Sequence, residues 1–385
     1  MRDLLQIVAA FEALAAEGKP EALATVVAVE GSAYRRPGAR MLVAGDGRTW
    51  GTISGGCLER DVARRAMMLI PQIAHQPKKP RVICYETDGE DATEEDARPN
   101  LDPGPSLGCG GRIEILTQRI TADDPGPIAA LAAVVRQRKA ATMATIIRTG
   151  STDDREILIG ICMTKIGDDL VVGKIPDAKL NDAVAQQLCS SVPGDRGFQI
   201  DRHTLSRGGW AEVWTQRLVP SQSLAIFGDG HDVAPLVEMA HLLGWHITVI
   251  GSRPMAALSQ KFPKADHLIC NPDPTADDAP PDAAVVVMGH NFRRDAAVLG
   301  DLAHRTHDYI GILGPRKRTA RLLESAGISA AEENIFSPVG LDLGAETPEQ
   351  IALAIVAEIQ AVSSGRNGKS LRSRAGPIHL HCTQR

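Results

Sequence analysis

Residues 224–254 read LAIFGDGHDVAPLVEMAHLLGWHITVIGSRP. A short apolar run at 224–227 meets Gly228-Asp229-Gly230-His231-Asp232, and a helical pattern then runs to Gly244. A second β-branched run follows at 246–250. Strand, glycine turn and helix in this order form the context of a dinucleotide-binding unit. The glycines let backbone approach a ligand, and the N-terminus of the helix favours an anion. Gly228, Gly230, His231 and Asp232 are therefore candidate cofactor-binding residues. The stretch also departs from that pattern. Val233 stands at the third glycine position, and Pro235 sits in the first helical turn, where proline is tolerated. At the end of the second strand, Gly251-Ser252-Arg253 offers no acid for a ribose. An arginine without a carboxylate predicts a 2′-phosphate ligand, NADP over NAD, with Arg253 as its contact. The competing reading is a scaffold of this shape whose turn is unused or serves another ligand.

Downstream the alternation continues, with strands predicted at 267–269, 284–288 and 309–313 and helices starting near 232, 254, 293 and 317. A last helix spans 348–362. Strand–helix alternation predicts a doubly wound parallel sheet. The fourth and fifth strands end on Gly289-His290-Asn291 and Gly314-Pro315-Arg316-Lys317-Arg318, on the rim where such sheets bind ligands. His290, Asn291 and Arg316 are candidates there, since arginine forks suit phosphate. As a bare charge run, 316–318 is also what a solvated helix start looks like.

Upstream of 218–222 the pattern is α+β with many hairpins. A helix capped by Asp3 carries Leu4, Leu5, Val8, Phe11 and Leu14 on one face and stops at Gly18. Strands are predicted at 23–29, 81–85, 112–116, 141–148, 156–164, 170–174, 198–203 and 210–217. Segments 40–44 and 48–53 flank the turn Gly45-Asp46-Gly47 as a hairpin. Helices are predicted at 58–70, 128–138 and 177–190. The fold class is α/β: an α+β N-terminal domain (1–220), a Rossmann-like domain (221–365) and a basic, loosely held tail (366–385).

The N-terminal half carries two glycine-flanked thiols. Residues 31–59 read GSAYRRPGARMLVAGDGRTWGTISGGCLE, and residues 107–111 read LGCGG. Ser54, Gly55 and Gly56 lead into Cys57 at a predicted helix mouth, where free N–H groups and the helix dipole favour a thiolate. Gly108 and Gly110 leave the Cys109 sulfur accessible. Arg36 and Arg40, with Pro37 and Gly38, form a stiff basic loop suited to a phosphate. The other reading of that loop is an exposed basic turn, and the usual fate of a cysteine is burial, which suits Cys162 and Cys189. A soft thiolate suits a soft metal or sulfur transfer, so Cys57 and Cys109 are candidate metal ligands.

Residues 86–106 hold eight acids and three prolines, the composition of a solvated loop; an acidic metal site is the sharper alternative. The chain has 385 residues, a net charge of −5 and 43% hydrophobic residues. Two domains are the default at that length. No basic face dominates, which argues against a nucleic-acid partner. No apolar run reaches the roughly 18 residues that span a bilayer, and the N-terminus reads as an amphipathic helix and not a signal peptide. Seven cysteines, an odd number with no CxxC, argue against a disulfide framework or structural zinc and for reduced thiols in a cytoplasm.

Taken together, GSAYRRPGARMLVAGDGRTWGTISGGCLE, LGCGGRIEIL, the 224–254 stretch, VVVMGHNFRRD, YIGILGPRKR, SPVGLDLGAETPEQIALAIVAEI and SLRSRAGPIH resemble the XdhC/CoxI family over most of the chain. The resemblance implies a maturation factor for molybdenum hydroxylases such as xanthine dehydrogenase, not an ordinary catalyst. It implies that the protein binds the molybdenum cofactor, a molybdopterin, holds it while a cysteine desulfurase supplies the terminal sulfur, delivers it to the apoenzyme, and forms a homodimer. The family commonly shows Asp where Gly251 stands and Thr-His-Asn at 289–291. The alternative from another class is an NADP-dependent oxidoreductase, for which His231 and His290 are the proton-relay candidates.

Overall fold

The computed structural model describes residues 2–31, 34–70, 79–86, 102–103, 111–150, 159–168, 170–189, 197–329 and 332–374. Contacts divide the chain into an N-terminal unit that begins at Asp3 and runs to Pro220 and a C-terminal unit that begins at Ser221.

The N-terminal unit is built on two mainly antiparallel sheets. Helix α1 (Arg2–Ala16) leads into β1 (Glu21–Gly31), the hairpin β2 (Arg40–Ala44) and β3 (Thr49–Gly51), and helix α2 (Glu59–Met67). Strands β4 (Arg81–Glu86), β5 (Asp102–Pro103) and β6 (Gly111–Ile120) complete a sheet of order β3-β2-β1-β6-β4-β5. Helix α3 (Pro127–Gln137) leads to the second sheet. It comprises β7 (Ala141–Thr149), β8 (Cys162–Ile166), β9 (Leu170–Val172), β10 (Phe198–Thr204) and β11 (Trp210–Leu218), ordered β10-β11-β7-β8-β9, with helix α4 (Ala178–Cys189) between β9 and β10.

The apolar pattern of β1 follows from this layering. Leu23 and Val27 join one core with α1, α3 and the second sheet, including Phe11, Leu131, Met143 and Trp214. Ala22, Ala24 and Val26 face a different core under α2, with Val62 and Ala66. Both faces of β1 are covered, so its sequence reads as a continuous apolar run and not as alternation. On the far face of the second sheet, Leu180, Val184 and Leu188 of α4 close a third core. A register shift between Val26 and Ala28 sets the long β1–β6 pairing, the local signature of a β-bulge.

The C-terminal unit is a parallel sheet of order β14-β13-β12-β15-β16-β17, with every pair parallel. Its strands are β12 (Ser223–Phe227), β13 (His246–Gly251), β14 (His267–Cys270), β15 (Ala283–Val287), β16 (Ile310–Ile312) and β17 (Ile335–Phe336). Helices α5 (Val233–Leu242), α6 (Met255–Lys261), α7 (Phe292–Leu302), α8 (Arg316–Ala326) and α9 (Pro348–Ser363) alternate with them. One face packs on α5 and α9 through Leu236, Val237 and Ile355, the other on α7 and α8 through Val298, Leu299 and Leu322. This is the 3-2-1-4-5-6 Rossmann order, which reverses between β12 and β15 and opens a crevice at that point. The expected α/β class, with an α+β first half and a parallel second half, is borne out.

One expected strand moves, two short strands were not expected, and some expectations fall outside the described residues. The strand expected at 156–164 lies at Cys162–Ile166, with 151–158 outside the described residues. The two-residue strands β5 and β17 have no pattern long enough to read. Most of the acidic stretch (87–101 and 104–106), the LGCGG loop through Gly110, and 375–385 lie outside the described residues.

Candidate functional site

Two places answer the sequence, one in each unit. In the N-terminal unit, Ser54–Cys57 form a turn between β3 and α2. Its centre is the Glu59 carboxylate, on the first residue of α2. Glu59 Oε1 accepts N–H bonds from Ile53 (3.2 Å), Ser54 (2.9 Å) and Gly55 (3.0 Å). Oε2 accepts from the Gly56 N–H (2.8 Å) and the Ser54 hydroxyl (2.5 Å). Ser54 Oγ in turn accepts from the Leu58 N–H at 3.0 Å. Convergence of four N–H groups on one anion requires the unusual backbone of Gly55 (φ 114°) and Gly56 (φ 122°), open to glycine alone. Burial pushes the Glu59 pKa up, but the Ser54 hydroxyl and the backbone donors outweigh it and bring it down to about 2.

The sequence reading is corrected here. The N–H groups of Ser54, Gly55 and Gly56, expected to be free to favour a thiolate at Cys57, hold the chain's own Glu59 carboxylate instead. Cys57 therefore sits just ahead of the N-cap Leu58 on a turn fixed from within, with its thiol exposed. Tyr34 is 80% exposed and lies against Gly55, where an added Cβ would come within 2.7 Å of its ring. Arg36 is also exposed.

Arg40 is a second correction. It is 2% exposed and does not belong to a surface phosphate loop. Nη1 donates to the Gly38 carbonyl (2.9 Å), Nη2 to Gln216 Oε1 (2.9 Å), and the guanidinium lies 5.9 Å from the Trp214 ring. Burial lowers its pKa to about 10, so it remains a cation at neutral pH. Cys84 is buried, and burial raises Cys162 to about 11. Cys189, expected in a core, is exposed at the end of α4. Gly108, Cys109 and Gly110 lie outside the described residues, so the Cys57–Cys109 pairing stays an expectation. Among the described residues, no group of three or more His, Cys, Asp or Glu could hold a metal ion.

In the C-terminal unit, the crevice at the sheet's reversal point is a cavity of about 330 Å³. Gly228, Asp229 and Gly230 line it from the first turn, Gly251 and Ser252 from the end of β13, and Asn271 and Pro274 from beyond β14. Gly289, His290, Asn291, Arg294 and Asp295 line it from beyond β15. Asn291 also caps α7, accepting from the Arg293 and Arg294 N–H groups at 3.1 and 3.2 Å. His290 Nε2 stands 3.8 Å from Asp232 Oδ1, a buried oxygen without a hydrogen-bond partner among the described residues. His231 is exposed and is not part of the lining.

Asp229 overturns the expectation of a missing carboxylate. Its Oδ2 accepts from the backbone N–H groups of Ser252 (2.9 Å) and Arg253 (3.0 Å), at the tip of β13. Burial raises its pKa, but those two N–H groups and the Arg253 charge prevail and leave it lowered. An acid therefore does stand at the second strand's end, supplied by the first strand's turn. Arg253, expected to take a 2′-phosphate, is ion-paired to it at 3.5 Å. On the far rim, Arg316 is exposed on α8, and Arg318 turns inward instead. Its Nη2 donates to the Gly289 carbonyl (3.0 Å) and to Asp295 (2.5 Å). Asp295 is buried, and burial raises its pKa against the pull of Arg318. Glu59, Asp229 and Asp295 were not singled out from the sequence, whereas Arg318 lies in the 316–318 run expected on this rim. The one signal available was the acid inside Gly-Asp-Gly.

Comparison with known proteins gives a consistent picture. Residues 224–359 match the XdhC Rossmann domain, and residues 14–77 match the XdhC and CoxI family. The chain is 34% identical over 352 residues to a probable xanthine dehydrogenase subunit of Bacillus subtilis, covering 90% of this chain and 94% of that protein. It is 25% identical over 350 residues to the molybdenum cofactor insertion chaperone PaoD of Escherichia coli, covering 90% and 84%. A crystal structure described as a xanthine dehydrogenase from Bacillus halodurans aligns with TM-score 0.69 at 26% identity, covering 94% of this chain and 97% of that one. Matches to both parts of the family, and a near full-length relative above 30% identity, make this chain a member of the XdhC and CoxI family.

Proposed function

We propose that this protein is a maturation factor that holds the molybdenum cofactor for a xanthine dehydrogenase-type enzyme. In this reading a cysteine desulfurase supplies the terminal sulfur to the held cofactor, a homodimer is the working form, and the cofactor then passes to the apoenzyme. The observation that carries the proposal is the Cys57 thiol, exposed on a turn whose backbone is fixed by Glu59. A fixed, accessible thiol is a soft donor, suited to a metal that is itself held by sulfur. Arg36 supplies an exposed cation for the pterin's phosphate, and Tyr34 an exposed ring face for its flat heterocycle. The cofactor is cargo here, and the chain contributes grip and shielding. The likeness to a protein named a cofactor insertion chaperone supports the same role.

The test is pterin retention. Protein co-expressed with the cofactor pathway is purified, oxidised and assayed for pterin fluorescence alongside Cys57→Ala. Pterin near stoichiometric in the wild type and several-fold lower in the variant supports the proposal. A wild-type protein free of pterin defeats it.

A further inference from the structure

We infer that Asp229 is the ribose-recognising acid of the C-terminal cavity, and that the cavity takes a nucleotide with a free 2′,3′-diol and rejects one carrying a 2′-phosphate. The inference stands apart from the maturation role, because it concerns the other unit and does not involve Cys57.

In sheets of this order, an acid at the end of the second strand accepts hydrogen bonds from the ribose hydroxyls. Position 251 has no room for one. A Cβ there would lie 2.8 Å from Leu258 Cδ2 and 2.9 Å from both Cβ and Oδ2 of Asp229. The space is filled by Asp229, which reaches across from the end of β12. Its Oδ2 is fully engaged by the Ser252 and Arg253 N–H groups. Among the described residues, its Oδ1 has only the Arg253 Nε at 3.5 Å, too long for a good hydrogen bond, and so keeps acceptor capacity. Lys261 Nζ donates to the Asp229 carbonyl at 2.7 Å and holds the residue in place.

A ribose diol is a donor pair and matches that oxygen. A 2′-phosphate is an acceptor with about two negative charges and meets a carboxylate instead. The two N–H groups at the β13 tip that could bind it are already used, the Arg253 charge is paired with Asp229, and the Lys261 ammonium is committed to the Asp229 carbonyl. The cavity extends toward Asn271 and Pro274 on the β14 side, leaving space beside the diol for a base.

The same diol occurs on nicotinamide dinucleotides, on free nucleoside diphosphates and on the nucleotide half of larger cofactors. Titration of the full chain with NADH against NADPH, ADP against 2′-deoxy-ADP, and CDP against 2′-deoxy-CDP separates these sources. At least one ribose form is expected to bind. Its 2′-deoxy or 2′-phosphate counterpart should bind about 10- to 100-fold more weakly, the worth of one hydrogen bond to a charged group. Asp229→Ala should narrow that gap to about twofold, whereas Arg253→Ala should leave it. If Asp229→Ala does not fold, the wild-type series and Arg253→Ala decide alone. Equal or tighter binding of NADPH, equal binding of the deoxy forms, or no binding of any ligand at millimolar concentration overturns the inference. None of these results would alter pterin retention through Cys57.

Discussion

Glu59 sets its carboxylate against four backbone N–H groups and a hydroxyl, an arrangement that elsewhere captures phosphates. Its pKa of about 2 lies below the ordinary Glu value. Its stabilisation is therefore complete above about pH 4.5 and is lost as pH falls toward 2. Glu59→Gln should lower the Tm at pH 7, at a cost of about 1–3 kcal/mol, and the gap to wild type should shrink steadily below pH 5 in a pH series of thermal melts. Glu21 has the opposite sign. It is fully buried, neither carboxylate oxygen has a partner among the described residues, and burial raises its pKa to about 7. The folded state then binds more protons than the unfolded one between about pH 4.3 and 7, so stability falls as pH rises through that window. Glu21→Gln should match wild type near pH 4 and melt higher at pH 8; a lower melt at pH 8 would refute this assignment. The accessible thiol of Cys57 was legible from its glycine flanks. Glu59 and Asp229 were not, because a side chain that folds back onto a neighbouring turn leaves no periodic trace. Arg40 read as a surface charge because Gln216, 176 positions away, supplies the partner that lets it be buried.

At the scale of elements, one tie between the two N-terminal sheets is ionic. Arg148 on β7 reaches Glu114 on β6 and Glu212 on β11, and its side chain is only 9% exposed. Glu114 also pairs with Arg112 at 3.4 Å, and Glu212 with Arg202 at 2.7 Å. Removing one member of a buried set leaves uncompensated charge, which costs about 3–5 kcal/mol. Arg148→Ala should lose that much in urea unfolding; a loss under about 1 kcal/mol would place these groups in effectively solvated surroundings. The parallel strands were legible because β12, β13 and β15 are short apolar runs separated by helical patterns, and the hairpin because Gly45-Asp46-Gly47 marks it. The Cys162–Ile166 strand was misplaced because apolar residues flank Gly160 on both sides, and the break at that glycine (φ 86°) interrupts a run that reads as continuous. Strands β5 and β17 exist only through pairing with β4 and β16, which no local pattern encodes.

For the whole molecule, the sequence divides the chemistry between a glycine-flanked thiol in one unit and the crevice of a Rossmann sheet in the other. Each unit carries a carboxylate that settles the character of its site: Glu59 fixes the thiol's turn, and Asp229 gives the crevice the acid its second strand lacks. Among the described residues no helix is long and apolar enough to cross a membrane. Whether the Cys57 turn holds a molybdopterin is decided by pterin content measured side by side in wild type, Cys57→Ala and Asp229→Ala. Pterin is expected in the wild type, with a several-fold loss in Cys57→Ala and no loss in Asp229→Ala. Pterin absent from the wild type, or retained in full by Cys57→Ala, would contradict that reading.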